Sequence, residues 1–177
     1  MLIFVMSDSH NCSLEDLKIA AKKAEKRGAK YIIHCGDMID EHLGTPIFKD
    51  FEIWVYITDQ NKNVPSQLPS NWHLLGDENR VVVINNVRIY VHHYMGIDVL
   101  LGLSGVVDRI HKEYGYVAYA LCGHSHHQFQ HSDTNTCIIN PGAWFEKLCF
   151  SVINTKNWDV TQGTLTQNFK RVNLDED

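Results

Sequence analysis

Residues 2–10 read LIFVMSDSH, an apolar run that ends directly before polar residues. Its five apolar residues predict a short buried strand, which the polar residues Asp8 and His10 follow at once. The run is too short for a signal-peptide core or a membrane span, so we expect no membrane association. In an open α/β sheet, ligands bind at the carboxyl ends of strands, which is where Asp8 and His10 would lie.

The same order, an apolar run followed by residue types that bind metals, occurs twice more. Residues 31–35 read YIIHC and precede Gly36 and Asp37, while residues 119–122 read YALC and precede Gly-His-Ser-His at 123–126. Carboxylates and imidazoles together suit Mn, Fe, Zn, Ni or Co better than Ca or Mg, which prefer oxygen ligands. Three such clusters predict a two-metal hydrolase.

The segments around these clusters predict a β-α-β unit followed by mostly β structure. Ser13 is a good N-cap for a helix that ends near Gly28, and Asp16 is its capping-box partner. The strand at 31–35 would be parallel to the first strand. Further predictions are a short helix at 46–51, a loop at 61–71, a hairpin turning at 85–86, a helix at 99–114, strands at 53–57, 136–139, 148–153 and 159–166, and a frayed acidic tail at 174–177.

The composition fits one compact enzyme domain over residues 1–177. A chain of this length can bury a real core, and its 44% hydrophobic and 21% charged residues are typical of a soluble globular protein. The net charge of −5 argues against a large basic surface for nucleic acid. Five Cys is an odd count without a Cys-x-x-Cys pair, which indicates free thiols in a reducing cytoplasm.

The combined motifs resemble those of the calcineurin-like metallophosphoesterases. They are Asp-x-His at 8–10, Gly-Asp at 36–37, a His after a hairpin strand, and Gly-His-x-His at 123–126. The short length and the hairpin resemble the small bacterial and archaeal phosphodiesterase branch, whose fold a retromer subunit shares. The resemblance covers about 1–150 and includes Asn-Pro-Gly-Ala at 140–143. It implies an α/β fold, a four-layer αββα sandwich of two mixed sheets flanked by helices.

The resemblance also implies a centre of two divalent metal ions, with Mn as first choice and Fe, Zn, Ni or Co as alternatives. A hydroxide bridging the two ions would attack the phosphorus of a small phosphate ester. In extended segments alternate side chains share a direction, so residues separated by one position can face one site. The implied ligands are Asp8, His10 and His126 for one metal, Asp37 as the bridge, and His93 and His124 for the second metal.

Two neighbouring histidines compete for one of these positions. Alignment with the family's strand end favours His93 as the ligand, and a register slip of one residue would make it His92. A metal-binding imidazole also needs an acceptor that orients its second nitrogen. Asp40, Glu41 and Glu146 are the candidates for that orienting role.

The largest departure from the family lies at 57–61, which read ITDQN. The family has Gly-Asn there, whose Asn ligates the second metal, and in many members a following His protonates the leaving group. Asp59 is the first choice for the replacement ligand, with Thr58, Gln60 and Asn61 as alternatives. Because the His is absent, no residue is assigned as the catalytic acid, and we expect either substrates with good leaving groups or a proton taken from metal-bound water.

The resemblance therefore implies a metal-dependent phosphoric ester hydrolase that acts on phosphodiesters and also on phosphomonoesters. We expect a small phosphate ester as its partner, neither membrane nor nucleic acid, and a homodimer as one option. The alternative is a catalytically weak or inactive scaffold that binds proteins, as the resemblance to a retromer subunit allows. The six retained ligands favour the enzyme, and the missing Gly-Asn pair favours the scaffold.

Overall fold

The computed structural model describes residues 1–95, 102–133 and 135–165. Within these residues the chain forms eleven strands, three α-helices and two short 3-10 helices at Asp40–His42 and Pro46–Phe48. No helix in this part of the chain is long and apolar enough to cross a membrane. In chain order the elements are β1 (Leu2–Met6), α1 (Leu14–Lys26), β2 (Tyr31–His34), β3 (Glu52–Tyr56), β4 (Trp72–Leu75), β5 (Val81–Ile84), β6 (Val87–Val91), α2 (Gly102–Tyr114), β7 (Tyr119–Leu121), β8 (Phe129–Asp133), β9 (Thr136–Asn140), α3 (Trp144–Lys147), β10 (Cys149–Asn154) and β11 (Asp159–Thr164).

Helix α1 begins at the cap that the sequence predicts. Ser13 Oγ accepts a hydrogen bond from the Asp16 backbone N–H at 3.1 Å, and the Asp16 carboxylate accepts one from the Ser13 N–H at 3.0 Å. Such a cap stabilises a helix by about 1 kcal/mol. The helix buries an apolar stripe of Leu17, Ala20 and Ala24. The prediction of this helix is confirmed.

The first sheet has six strands in the order β11-β10-β1-β2-β3-β4. Strand β1 lies inside this sheet, parallel to β2 and antiparallel to β10, with Val5 opposite both Ile33 and Ser151. Strands β2, β3 and β4 continue in parallel. The carboxyl ends of β1 and β2 therefore lie side by side.

The second sheet has five strands in the order β5-β6-β7-β9-β8. Strands β5 and β6 form the predicted hairpin, with Asn85 and Asn86 at φ angles of 50° and 62°. A two-residue turn with positive φ at both positions matches the right-handed twist of its strands, and Asn tolerates this conformation. Because β6 and β7 are parallel, their carboxyl ends are also neighbours.

Strand β1 shows how the two sheets and the helices form layers. Phe4 and Met6 pack in the core that contains Leu17 of α1, whereas Ile3 and Val5 pack in the core between the two sheets. Successive strand residues face opposite sides, so one strand supplies both cores. A third core joins the second sheet to α2 through Val106, Val107 and Ile110. The predicted four-layer arrangement is confirmed.

Three elements were not predicted from the sequence, namely β4, β8 and α3. Strand β8 reads FQHSD and is largely exposed at the sheet edge, so it carries no hydrophobic alternation to detect. The helix predicted at 46–51 is a single 3-10 turn at Pro46–Phe48. The first residues of the predicted helix at 99–114, the end of the strand at 159–166 and the tail at 174–177 lie outside the described residues.

Candidate metal centre

Four strand ends supply the candidate ligands, two from each sheet. Asp8 and His10 follow β1, Asp37 follows β2, His93 follows β6, and the Gly-His-Ser-His segment at 123–126 follows β7. Backbone hydrogen bonds join these segments: Asp8 N–H donates to the Gly36 carbonyl at 3.0 Å, and Gly123 N–H donates to the His93 carbonyl at 3.0 Å. Each of these bonds lies within one sheet, and the His124 N–H, which donates to Asp8 Oδ1 at 3.1 Å, joins the two sheets at the cluster.

Left-handed backbone conformations are concentrated in these segments. Positive φ is uncommon for residues other than glycine and costs about 1–3 kcal/mol, which the surrounding structure must supply. The extended geometry that we predicted for the two alternating pairs is therefore wrong. Asp8 and His10 still share one ligand group, whereas His126 belongs to that group without His124. Five of the six strand-end candidates have positive φ: Asp8 at 51°, His10 at 43°, Asp37 at 57°, His124 at 68° and His126 at 60°.

Asp8 belongs to two groups of potential metal ligands. The first group is Asp8, His10 and His126, and the second is Asp8, Asp37 and His93. In each group the potential ligand atoms lie within 4.8 Å of one another. Asp8 is fully buried, so its charge is shielded from bulk water and needs compensation inside the site.

His93 directs its second ring nitrogen, Nε2, at two carboxylates. Its Nδ1–H donates to the Cys35 carbonyl at 3.0 Å, because a carbonyl can only accept. Its buried Nε2 lies 3.2 Å from Asp37 Oδ2 and 3.8 Å from Asp8 Oδ1 but has no aligned hydrogen-bond partner. A lone pair facing two carboxylates requires positive charge between them, which either a proton or a metal ion would supply.

His126 is oriented in the same way by a carboxylate. Its Nδ1 lies 2.8 Å from Glu146 Oε1, so the proton belongs on Nδ1 and the Nε2 lone pair faces the cluster. That Nε2 is 3.4 Å from Asp8 Oδ1 and 3.3 Å from His10 Nε2. Imidazoles that donate one N–H to an acceptor and aim the other nitrogen at a carboxylate cluster fit a divalent transition metal.

The pKa shifts of Asp37 and His93, in the second ligand group, also indicate that positive charge is favoured there. Burial alone would raise the pKa of Asp37, but contact with His93 and the Thr58 hydroxyl outweighs it and lowers the pKa to about 2. Burial opposes the charged form of His93, yet Asp37 and Asp8 raise its pKa above the usual value. The Asp37 side chain is therefore ionised at neutral pH, as a metal ligand must be.

His124 joins the cluster through its backbone as well as its ring. Its N–H donates to both carboxylate oxygens of Asp8 at 3.1 Å, and its exposed ring lies 5.4 Å from that of His93, centroid to centroid. His92 points elsewhere, with its ring 5.1 Å from that of Tyr56. Of the two competing histidines, the structure brings His93 into the cluster.

The segment that departs from the family contacts Asp37 through two other residues. Thr58 Oγ1 donates to Asp37 Oδ1 at 2.8 Å, and Gln60 Nε2 donates to Asp37 Oδ2 at 3.1 Å. Asn61 Nδ2 instead donates to the Met38 carbonyl at 2.8 Å. The Asp59 side chain is exposed and belongs to neither ligand group. The structure thus does not bring our first choice, Asp59, into the cluster.

Two candidate orienting residues have different roles. Glu146 orients His126, as its candidacy required. The Asp40 carboxylate instead accepts hydrogen bonds from the backbone N–H groups of Lys62 and Asn63 at 3.0 and 2.6 Å. These bonds hold in place the loop that differs from the family pattern.

His34, a buried histidine that the sequence did not indicate as a ligand, stabilises the segments that carry the cluster. His34 is fully buried, and its Nδ1 accepts the Gly36 N–H at 3.2 Å. Its Nε2–H must then donate to Ser9 Oγ at 2.9 Å, which fixes the tautomer. Burial, with a smaller effect of His93, lowers the pKa of His34 to about 3, so the ring is neutral. It fastens the segment after β1 to the segment after β2.

Two glycines allow the strand ends to approach each other. A Cβ atom on Gly36 would lie 2.7 Å from His93 Nδ1, and Gly36 has a φ of 116°. A Cβ atom on Gly123 would collide with the Ser7 hydroxyl and lie 2.7 Å from Asp8 Oδ2. Both glycines are therefore required by space at the cluster.

The sequence of the chain matches one family model. The model describes a calcineurin-like phosphoesterase superfamily domain and matches residues 1–152. This range includes every candidate ligand, and the chain belongs to this superfamily. A search of curated proteins gave no significant sequence match.

Several solved structures share the fold. An archaeal phosphodiesterase is 17% identical with a TM-score of 0.67, and the alignment covers 93% of this chain and 100% of that one. A predicted phosphoesterase from Streptococcus pneumoniae is 18% identical with a TM-score of 0.64, covering 94% and 90%. Vps29 from Entamoeba histolytica, complexed with Zn²⁺, is 14% identical with a TM-score of 0.62, covering 94% and 99%. At these identities the likeness establishes the fold.

Proposed function

We propose that the chain is a metal-dependent phosphoric ester hydrolase that acts on phosphodiesters and more slowly on phosphomonoesters. The observation that carries this proposal is the buried Nε2 of His93, whose lone pair faces the carboxylates of Asp37 and Asp8. A divalent cation satisfies all three groups at once. The superfamily and the Zn²⁺ complex of the similar Vps29 are consistent with a metal there.

The proposed centre holds two divalent ions, with Mn as first choice. When bound, such ions supply Lewis acidity and lower the pKa of a water molecule. Asp8 belongs to both groups, whereas Asp37 belongs only to the group with His93, so the bridging role of Asp37 rests on the family resemblance. The proposed ligands are Asp8, His10 and His126 for one ion, His93 and His124 for the other, and Asp37 for both.

The chain's own residues then position the reaction and limit its substrates. The Cys35 carbonyl and Glu146 fix the His93 and His126 rings, so the ligand geometry is set before substrate binds. Thr58 and Gln60 are the loop residues that contact Asp37, and neither side chain is an acid near neutral pH. The leaving group would then depart as an anion or take its proton from water at the metal, which favours activated diesters.

The test is hydrolysis of an activated aryl phosphodiester by metal-stripped protein to which Mn, Ni, Co, Fe or Zn is returned separately. We expect turnover with Mn and slower turnover of an alkyl phosphomonoester, because no acid protonates the alkoxide. Equal or faster turnover of the alkyl monoester would reveal an acid that we have not identified. Absence of turnover with all five metals would contradict the enzyme.

The alternative is a protein-binding scaffold with little or no catalysis. The fold does not discriminate, since the TM-scores to a phosphodiesterase and to Vps29 are 0.67 and 0.62. The loop at 58–61, which lacks the family's Asn ligand, favours the scaffold. The five strand-end residues that form the two ligand groups favour the enzyme. Turnover by the metal-loaded chain separates the cases, because metal content does not: Vps29 also forms a Zn²⁺ complex.

A further inference from the structure

A cleft of about 260 Å³ opens beside the cluster, on the side of the second sheet and α2. We propose that this cleft binds the nucleoside end of a nucleotide phosphodiester while the phosphate lies at the cluster. The inference rests on the proposed function and extends it to a substrate class. The cleft lining includes Tyr90, His92, Tyr94 and Tyr114 and the two arginines Arg80 and Arg109.

The cleft begins where the candidate ligands end. Tyr94 lines it, is 60% exposed, and meets the His124 ring edge-on with centroids 4.9 Å apart. His92, another lining residue, directly follows β6 and precedes the candidate ligand His93. A phosphate held at the cluster would therefore direct one of its two ester groups into the cleft.

Aromatic rings form much of the cleft wall. The Tyr90 and Tyr114 rings lie 5.1 Å apart, and the Tyr90 and His92 rings lie 6.3 Å apart, centroid to centroid. Tyr90 is buried and held in place, whereas Tyr94 stands exposed at the end nearest the cluster. Flat walls of this kind bind bases by stacking, which tolerates any base because each has a π face.

Polar groups among these rings favour a nucleoside over a plain aryl or alkyl group. Arg80 Nη1 donates to Tyr90 Oη at 3.3 Å and its Nη2 pairs with Asp77, while its buried Nε has no hydrogen-bond partner among the described residues. Arg109 Nη2 donates to the Met95 carbonyl at 2.8 Å, and a guanidinium carries further N–H donors. With Glu113 the cleft offers both donors and an acceptor, as the edges of a base and the hydroxyls of a sugar require.

Two esters with the same leaving group isolate the cleft from the chemistry. The two esters are thymidine 5′-(p-nitrophenyl phosphate) and methyl p-nitrophenyl phosphate. In both, the oxygen of water bonds to phosphorus, the bond from phosphorus to the aryl oxygen breaks, and p-nitrophenolate leaves. The protons of the water pass to solvent. Only the retained group differs. We expect kcat/KM to be about tenfold higher for the thymidine ester, mostly through KM, because one base stacks in the cleft.

Variants of two cleft residues, with a matched control, test whether the cleft produces the preference for the thymidine ester. Tyr114→Leu and Arg109→Met should each lower the thymidine-to-methyl ratio toward one. Tyr116→Leu is the control, because Tyr116 lies two residues away, is 55% exposed and does not line the cleft. A ratio near one in the unaltered chain, or a ratio that neither cleft variant lowers, would overturn the proposal.

A binding measurement separates failure of the cleft from failure of the enzyme. Thymidine 5′-monophosphate and inorganic phosphate are titrated calorimetrically into the metal-loaded chain. Nucleotide binding about tenfold tighter than phosphate, weakened by Tyr114→Leu, would support the cleft even if neither ester were hydrolysed. Equal affinities would contradict the cleft even if both esters were hydrolysed, leaving the proposed function standing.

Discussion

The strand-end segments and the loop at 58–61 meet at Asp37 but are built differently. The strand ends are largely buried, use positive φ at five candidate ligands, and are joined to each other by backbone hydrogen bonds. In the loop, Asp59 and Gln60 are exposed, and the loop is held mainly through the side chains of Asn61 and Asp40. In this fold the candidate ligands therefore lie on rigid strand ends, whereas the loop at 58–61 supplies the polar contacts around them.

The largest effect is expected from removing Asp37, the strand-end carboxylate that the loop also contacts. Asp37→Ala should lower the bound divalent metal from about two ions per chain to well below one, because it removes the proposed shared ligand. Emission spectrometry of protein purified without added metal measures the content. Asp50→Ala, which removes an exposed carboxylate, is the control and should retain both ions. Full occupancy in Asp37→Ala would refute the bridge.

The buried support of the strand ends should appear in the pH dependence of stability. The pKa of His34 falls from 6.5 to about 3 on folding, so the folded state disfavours its protonation. The contribution of His34 to the free energy of unfolding is therefore fully present above pH 6.5. It is lost as the pH falls toward 3, by about 1.4 kcal/mol per pH unit.

His34→Gln should lower the measured slope by about 1.4 kcal/mol per pH unit, while His92, whose pKa burial lowers to about 4, keeps its own contribution. Urea denaturation of the metal-free protein between pH 7 and pH 4 measures the free energy of unfolding at each pH. His131→Gln, a change in an exposed histidine on edge strand β8, is the matched control and should keep the slope. An unchanged slope in His34→Gln would mean that other groups carry the acid sensitivity.

A smaller effect is expected at the rim of the cluster, where Glu146 orients His126. Glu146→Gln keeps an acceptor for the His126 Nδ1–H but removes the charge, so metal affinity should fall by about tenfold. Competition against a chromogenic chelator measures the affinity. If Glu146→Gln and Glu146→Ala bound metal as tightly as the unaltered chain, Glu146 would have no part in orienting the ligand.

The smallest effect is expected for Asp59, which tests the loop side of the contrast. Asp59→Ala and Asp59→Asn should change metal content and kcat/KM by less than about twofold, since exposed substitutions away from special contacts have small effects. Loss of the ion held by His93 and His124 in Asp59→Ala would restore Asp59 as a ligand and show that the loop closes over the metal.

Much of the fold follows from local sequence signals. The apolar runs of β1 and β2, the Ser13 cap and the turn at 85–86 each match a local rule, and the structure confirms all four. Strand β4 was missed because WHLL is short and follows a proline-containing loop without alternation. Its strand assignment depends on pairing with β3, which is a property of the folded sheet.

The candidate cluster was predictable in its residues but less so in its geometry. Strand ends followed by Asp and His identify which side chains could meet. The left-handed backbone at Asp8 and the support from His34 depend on packing between segments that lie far apart in sequence. Thr58 and Gln60 carry no metal-binding pattern, so only the folded loop shows that they contact Asp37.

The position of β1 inside the first sheet also sets the order in which the chain can fold. Leu2 pairs with Asn154, so one edge of β1 has no partner until the ribosome has made almost the whole domain. At ordinary synthesis rates this interval is roughly 10–30 seconds, during which an apolar strand edge stays open to other nascent chains. The first sheet is thus expected to close only after β10 has left the ribosome.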